Sequence, residues 1–381
     1  MVVKKITVLY LITANTYGGA EHAVYKLAKN LNTTFFSPVV ACLGNNSTFI
    51  NRLRDSGIKI YPLNMKSVLD FRVIQKLYTI LKKEKVDIIH TQLFKSDFLG
   101  RITGKLAGTK IIISTIQNME SFRRFRILNF IDRITSFLTY KIISVSDLVR
   151  DFTIAKTGLP VEKFTTIYNF VDMEDHNPSA ITLDERRDFR KKLGIGEDNI
   201  VIGTIGRLAP QKSQKDLILA AKQVTDRYPQ ARFVIAGEGP LKQELMERIE
   251  QLSLTGKVIF TGFVEDTNSI FSIIDMFVLS SLWEGLPLTI CEAMSWSVPV
   301  VSTDAGGVPE IVENGVTGLL TRAGDYKQLA EAICLLLSDR KLQHSLTEAA
   351  RMRVEEKFSL KTVLMQIEEL YLEAAKSKAI I

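Results

Sequence analysis

The feature that most constrains the fold of this sequence is an alternation running through most of its length. Short apolar runs, among them Ile6–Ile12 (ITVLYLI), PVVACLG, KIYPLN, VDIIHTQ and IIISTIQ, recur between segments with helical spacing, as in the helices read from about Ala20 to Leu31 and Phe71 to Lys83. Continuous apolar runs of this length suit strands buried on both faces, and strand–helix alternation suits a parallel sheet covered by helices. The pattern starts again at VIGTIGRLAPQKSQKDLILAA, where a strand over Val201–Ile205 leads to a helix from about Gln214. At 381 residues the chain exceeds one typical core, so two such α/β domains are expected. From about Asp325 the spacing is helical throughout.

With 46% hydrophobic and 24% charged residues, the composition is that of a soluble globular protein. No apolar run reaches the roughly eighteen residues of a membrane-spanning helix. The first residues lack a small-residue cleavage site and read as a first strand, not a secretion signal. Cys42, Cys291 and Cys334 have neither ligand nor disulfide spacing, which fits a reducing cytoplasm. The net charge of +7 is uneven: residues 1–180 hold 25 Lys+Arg against 14 Asp+Glu, and the remainder holds 24 against 28. A basic first half points to an anionic partner there, whether nucleic acid, a membrane surface or a phosphorylated acceptor.

Chemistry concentrates between Ser281 and Leu320 (SLWEGLPLTICEAMSWSVPVVSTDAGGVPEIVENGVTGLL). Glu284 and Glu292 stand eight positions apart on either side of Gly285, Leu286 and Pro287. Pro287 suits the first turn of a helix running to about Ser295, with Ile290, Ala293 and Met294 on its apolar side and Thr289 and Glu292 on another face. The free amides within Gly285–Leu288 would gather at the helix N-terminus, a ready anion site. Amides flanked by two hydroxyl-seeking carboxylates suit a ligand with phosphate in its middle and sugar at both ends, which describes a nucleotide-sugar. By spacing alone, the same two residues read first as ordinary surface glutamates beside a helix start, since two glutamates at a fixed spacing are common.

Other candidates follow from position. Arg207 and Lys212, in the loop after Val201–Ile205, can reach one diphosphate, Arg as a planar fork and Lys as a point charge. Gly18 and Gly19 separate the first strand from a helix, where they either admit a ligand or make a tight turn. His90 ends a strand, either facing a ligand or satisfied in the core. Ser121–Lys141 interleaves Arg123, Arg124, Arg126 and Arg133 with Phe122, Phe125, Phe130 and Phe137. Such a stretch either lies on an anionic membrane or packs its Phe face into the core. KIISVSDLVRDF reads as a strand and then a helix capped by Ser146.

EGLPLTICEAMSWSVPVVSTDAGGVPEIVENGVTGLL closely resembles the donor-site signature of the retaining glycosyltransferases of family 4, and GRLAPQKSQKDLILA resembles their GRL…K element. The resemblance covers nearly the full length and is strongest from Val201 to Leu320. It implies the GT-B fold, two Rossmann-like parallel-sheet domains facing across a cleft, here 1–175 and 176–360, with a last helix over about 361–381 returning to the first domain. The segment IYNFVDMEDHNP resembles the family's interdomain linker, with Tyr168 and Phe170 at its usual proline and glycine.

By the same resemblance the chain transfers a sugar from a uridine-linked diphosphate donor, with retention, to a saccharide or lipid-linked acceptor in cell-surface polysaccharide or glycolipid synthesis. Arg207, Lys212 and Glu284 become catalytic. Gly19, Gly262, Phe263, Gly285, Leu286, Pro287, Leu288 and Glu292 become donor-binding, and His90 and Gln117 face the acceptor. Many relatives carry a histidine where this chain has Gln117, an amide that cannot titrate near neutral pH. No D-x-D occurs, so neither metal nor cofactor is expected beyond the nucleotide-sugar. The expected location is cytoplasmic, peripheral to the inner membrane face through 121–141, with no nucleic-acid partner. A nucleotide-sugar epimerase of the same fold and a non-catalytic partner subunit remain as alternatives. A dehydrogenase does not, because no G-x-G-x-x-G follows the first strand.

Overall fold

The apolar runs become the strands of two parallel sheets in the computed structural model, which describes residues 5–15, 18–67, 70–117 and 126–381. The first sheet holds β1 (Ile6–Ile12), β2 (Phe36–Cys42), β3 (Lys59–Pro62), β4 (Ile88–Gln92), β5 (Ile111–Ile116), β6 (Lys141–Ser144) and β7 (Phe164–Thr166), in the order β3-β2-β1-β4-β5-β6-β7. The second holds β8 (Ile200–Ile205), β9 (Ala231–Ala236), β10 (Val258–Gly262), β11 (Met276–Leu279), β12 (Val300–Thr303) and β13 (Leu319–Thr321), in the order β10-β9-β8-β11-β12-β13. In each sheet the chain winds outward from its first strand and then returns to that strand's other side. The reversal lies between β1 and β4 in one sheet and between β8 and β11 in the other. The crevice at the carboxyl ends of such a strand pair is where open α/β sheets bind ligands.

The chain divides into a unit of residues up to 169 together with Leu360–Ile381, and a second unit, Phe170–Ser359. Residues 170–175, assigned to the first domain from sequence, fall in the second unit for a physical reason. Phe170 and Val171 are buried, the Val171 amide donates to the Phe358 carbonyl (2.8 Å), and Asn268 Nδ2 donates to the Asp175 carbonyl (2.9 Å). The two points where the chain passes between units are thereby bonded side by side, through Val171 with Phe358 and Ser359.

The last helix, Leu360–Ser377, belongs to the first unit. Its Glu368 accepts the Asn32 amide (2.7 Å), and its Tyr371 is fully buried edge-on to Phe36. The Tyr371 hydroxyl lies 2.5 Å from His90 Nδ1 and donates to Tyr10, while His90 Nε2 lies 2.6 Å from the Thr115 hydroxyl. These partners suit one neutral tautomer, with Nδ1–H donating to Tyr371 and Nε2 accepting from Thr115. Burial pushes His90 down to about 3, so it stays uncharged.

The Arg- and Phe-rich stretch over Ser121–Lys141 contains a helix at Arg126–Ser136; Phe122, Arg123, Arg124 and Phe125 lie outside the described residues. This helix buries polar residues. Arg101, itself buried, donates to Asp132 (2.6 Å), Thr135 (3.2 Å) and Ser114 (3.1 Å), with Asp97 3.7 Å away. Burial raises Asp97 to about 6, against the pull of Arg101.

A histidine held neutral by burial stabilises the fold fully above its unfolded pKa of about 6.5 and loses that contribution as pH falls, because the unfolded chain gains the proton first. Asp97, shifted the other way, works oppositely in the acid range. The Tm of the wild type should therefore fall more steeply than that of His90→Gln between about pH 7 and pH 5. Parallel curves would contradict the buried neutral tautomer.

Candidate active site

The second sheet's reversal is lined by the loops after β8 and β11, and these hold the residues singled out by the motif. The β8 loop ends at Ser213, whose left-handed backbone (φ +43°) turns the chain into the helix Gln214–Arg227. Ser280 Oγ donates to the carbonyls of Lys212 (2.9 Å) and Ser213 (3.1 Å), and the Leu282 amide donates to the Gln211 carbonyl (2.8 Å). Glycines let neighbouring loops approach. A Cβ on Gly237 would stand 2.0 Å from the Gly206 carbonyl oxygen, and one on Gly307 would stand 1.8 Å from that of Gly285.

Glu284 is 5% exposed and collects three side chains. Lys212 Nζ donates to its Oε1 at 2.6 Å, Ser281 Oγ to the same oxygen at 2.5 Å, and Gln211 Nε2 to Oε2 at 3.2 Å. The catalytic candidates Lys212 and Glu284 thus meet as an ion pair, a partnership the sequence did not disclose. Arg207 is exposed at the start of the same loop, with no ion-pair partner among the described residues.

The helix after the motif spans Leu288–Ser295, with Pro287 just outside it in extended geometry (φ −76°, ψ +100°) and not in its first turn. Proline has no N–H, so any amides this turn offers a ligand come from Gly285, Leu286, Leu288 and Thr289. Ile290, Ala293 and Met294 are buried as the spacing predicts. Glu292, on another face, accepts from the Thr267 hydroxyl at 3.3 Å. Burial raises the Glu292 carboxyl above the usual range, while charge on His176 and the Thr267 hydrogen bond pull it back. The Thr289 hydroxyl, a turn before Glu292, is buried without a hydrogen-bond partner among the described residues. Gly262 takes a positive φ (+76°) at the end of β10, and Phe263 beside it is 77% exposed.

The remaining candidates belong to the first unit. Gly19 opens the helix Gly19–Asn30, and a Cβ there would meet nothing within 4 Å among the described residues. His90 is a correction. Its ring is wholly buried and bonded on both nitrogens, so it packs the core and has no surface for an acceptor. Gln117, half-buried just past β5, donates to Gln92 (2.8 Å) and accepts from Asn169 (2.9 Å). Asn118 lies outside the described residues.

Sequence reasoning missed Gln211, Ser281, Thr267 and His176. Gln211 and Ser281 could have been found beside Lys212 and just ahead of Glu284. Nothing local marks Thr267 and His176, which reach the neighbourhood of Glu292 only through the fold.

Residues 17–175 match Glycosyltransferase Family 4, and residues 185–353 match Glycosyl transferases group 1. The chain belongs to the family 4 glycosyltransferases. Among relatives of this glycosyltransferase, the UDP-Gal:alpha-D-GlcNAc-diphosphoundecaprenol alpha-1,3-galactosyltransferase of Escherichia coli is 28% identical over 83% of this chain and 82% of its own. The capsular polysaccharide biosynthesis glycosyltransferase CapM of Staphylococcus aureus is 27% identical over 79% and 80%. The structure of Anabaena Alr3699/HepE in complex with UDP superposes with a TM-score of 0.85 at 24% identity, covering 97% of this chain and all of that one, which identifies the fold as GT-B.

The close approach at Gly307 gives a direct test of the site's packing. Gly307→Ala must displace the Gly285 carbonyl or its own turn and should lose about 1–3 kcal/mol of stability. Gly19→Ala meets open space and should melt with the wild type. Equal melting of both variants would show that the loops do not pack as described.

Proposed function

We propose that this glycosyltransferase moves a hexosyl group from a uridine diphosphate donor, with retention, to a saccharide or lipid-linked acceptor in cell-surface polysaccharide or glycolipid synthesis. The observation that carries the reading is the Lys212–Glu284 pair, set where the second sheet reverses and next to a helix N-terminus. The E. coli relative's UDP-Gal donor and the UDP complex of the Anabaena structure support the choice of nucleotide.

In this reading Glu284 accepts hydroxyls of the donor sugar. Lys212 offsets its charge and keeps further ammonium protons for a phosphate oxygen. Arg207 takes the other phosphate, joined by the amides around Leu288, and together they meet the charge that grows as the C1–O bond to diphosphate breaks. The acceptor oxygen bonds to C1 from the face the diphosphate leaves, and its proton passes to the departing phosphate oxygen. Glu292 holds the ribose, Gly262 and Phe263 the base, and Gly19 the phosphates from the first unit. Gln117 orients the acceptor side as a non-titrating amide. No metal or other cofactor takes part, and the enzyme works peripherally at the cytoplasmic membrane face.

Losing a hydrogen bond to a charged group costs roughly 1.5–3 kcal/mol, so Arg207→Ala should lower transfer at least about tenfold. Donor screening by hydrolysis, in EDTA, measures this. Wild-type rates in a folded variant would remove Arg207 from the mechanism, and an absolute need for magnesium would reveal a missed ligand set.

Glu292 generates a second test through its raised carboxyl. The ionised carboxylate accepts ribose hydroxyls more strongly than the protonated acid, so binding favours loss of the proton and affinity should rise with pH through the acid range. Uridine, which has no phosphate to titrate, should bind more tightly by calorimetry as pH rises. Glu292→Gln should flatten that dependence. A flat wild-type profile would place the ribose elsewhere.

A further inference from the structure

The amino ends of the second sheet's strands frame a cleft that the catalytic reading does not use. It holds about 1130 Å³, above the roughly 300–1,000 Å³ of an ordinary small-ligand pocket. Ile200 at the start of β8, Asp275 just before β11 and Pro299 just before β12 line it, all within the second unit. Lys212 and Glu284 follow the other ends of β8 and β11. At about 3.3 Å per residue, the length of β8 sets the two places roughly 16 Å apart or more.

One wall is the helix Arg340–Arg353, which presents Arg340, Gln343, His344, Thr347, Glu348 and Arg351 to the cleft at spacings of three and four. Arg186, Glu197 and Asp198 come from the segment before β8. The deepest residues are apolar and buried. Trp296 lies against Phe271, ring centroids 6.5 Å apart, and donates its indole N–H to Asn268 (2.8 Å), while Ile274 and Val298 complete this floor.

Charge selects the ligand. Arg186 lies 3.9 Å from Asp275 and His344 lies 3.4 Å from Glu348, and neither sign prevails along the lining. An anion would meet the carboxylates, a cation the guanidiniums, and an apolar ligand would strip both of water. A ligand carrying donors and acceptors side by side satisfies all of these groups, and C–H faces between its hydroxyls suit the apolar floor. Neutral saccharides have that composition. The side chains of Arg340, Gln343 and Asp198 make no ion pair or hydrogen bond among the described residues, which leaves them open to hydroxyls. Arg340 also stands in the first turn of its helix, where a cation opposes the helix dipole, so helix stability does not account for it.

We propose that this cleft is a second, non-catalytic site that holds a neutral oligosaccharide apart from the place of transfer. The choice of ligand class rests on the reading of this enzyme as one that acts on saccharides; the cleft itself does not.

The test is saturation-transfer NMR of the full chain titrated with maltotetraose, cellotetraose and tetra-N-acetylchitotetraose. At least one of these should bind saturably, and excess UDP should not displace it. Arg340→Ala/Gln343→Ala should weaken that binding at least about tenfold, since it removes a hydrogen bond from a charged donor. Thr347→Arg, which fills the cleft from the same wall, should abolish it. These are surface positions of one helix, so melting and donor hydrolysis should stay at wild-type values in both variants. Binding by none of the probes would overturn the proposal. Displacement by UDP, or binding that survives both variants, would place the saccharide at the catalytic site and overturn it equally. A wild type that binds saccharide here yet hydrolyses no donor would count against the proposed function and leave this site standing.

Discussion

A carboxylate removed from water must be compensated where it sits, and Glu284 shows what that requirement organises. Its two oxygens are met by Lys212, Ser281 and Gln211, drawn from the loops after β8 and β11. Those loops are tied to each other by Ser280, which donates to the Lys212 and Ser213 carbonyls, and by the Leu282 amide, which donates to the Gln211 carbonyl. A buried pair of this kind is weak evidence for stability, since the desolvation of both charges offsets their attraction. It is better understood as a fixed arrangement of charge beside a helix terminus, held ready before any ligand arrives.

The first unit meets the same requirement differently at two places. Around His90, compensation comes from neutral groups, and burial keeps the ring uncharged within a set of hydroxyls from Tyr371 and Thr115. Around Arg101, the charge is retained and neighbouring acids are drawn in. One solution locks the last helix to the sheet; the other dictates which face of a helix meets solvent. Both are decisions about where charge is tolerated, taken in the core and expressed at the surface.

Much of this was legible from the chain. Strand β1 and the helix Phe71–Lys83 fall where the spacing put them, and Ser146 caps its helix by accepting the Val149 amide (3.1 Å). Apolar period and capping chemistry are local, so sequence carries them. The segment from Glu284 to Glu292 stood out because its residues lie within one loop and one helix. The Lys212–Glu284 pair, the core role of His90 and the helix that buries its polar residues were not legible, because each depends on a partner far along the chain: Glu284 for Lys212, Tyr371 for His90, Arg101 for Asp132. Pattern alone offered a Phe face in the core as the rival to a membrane face. It could not reveal that Arg101 would claim the polar side.

The paired crossings at Val171 and Phe358 carry a consequence for the order of events during synthesis. The second unit is continuous in sequence and has all its strands once Thr321 has emerged. The first unit is discontinuous: its sheet is complete at Thr166, yet Tyr371, which fills the space against Phe36 and His90, emerges only after the whole of the second unit. Closing a contact across so long a stretch of chain is slow, and until then the nascent first unit exposes apolar surface. The last helix therefore acts as a late-arriving keystone, and a ribosome that stalls before it leaves an intact second unit joined to an unfinished first one.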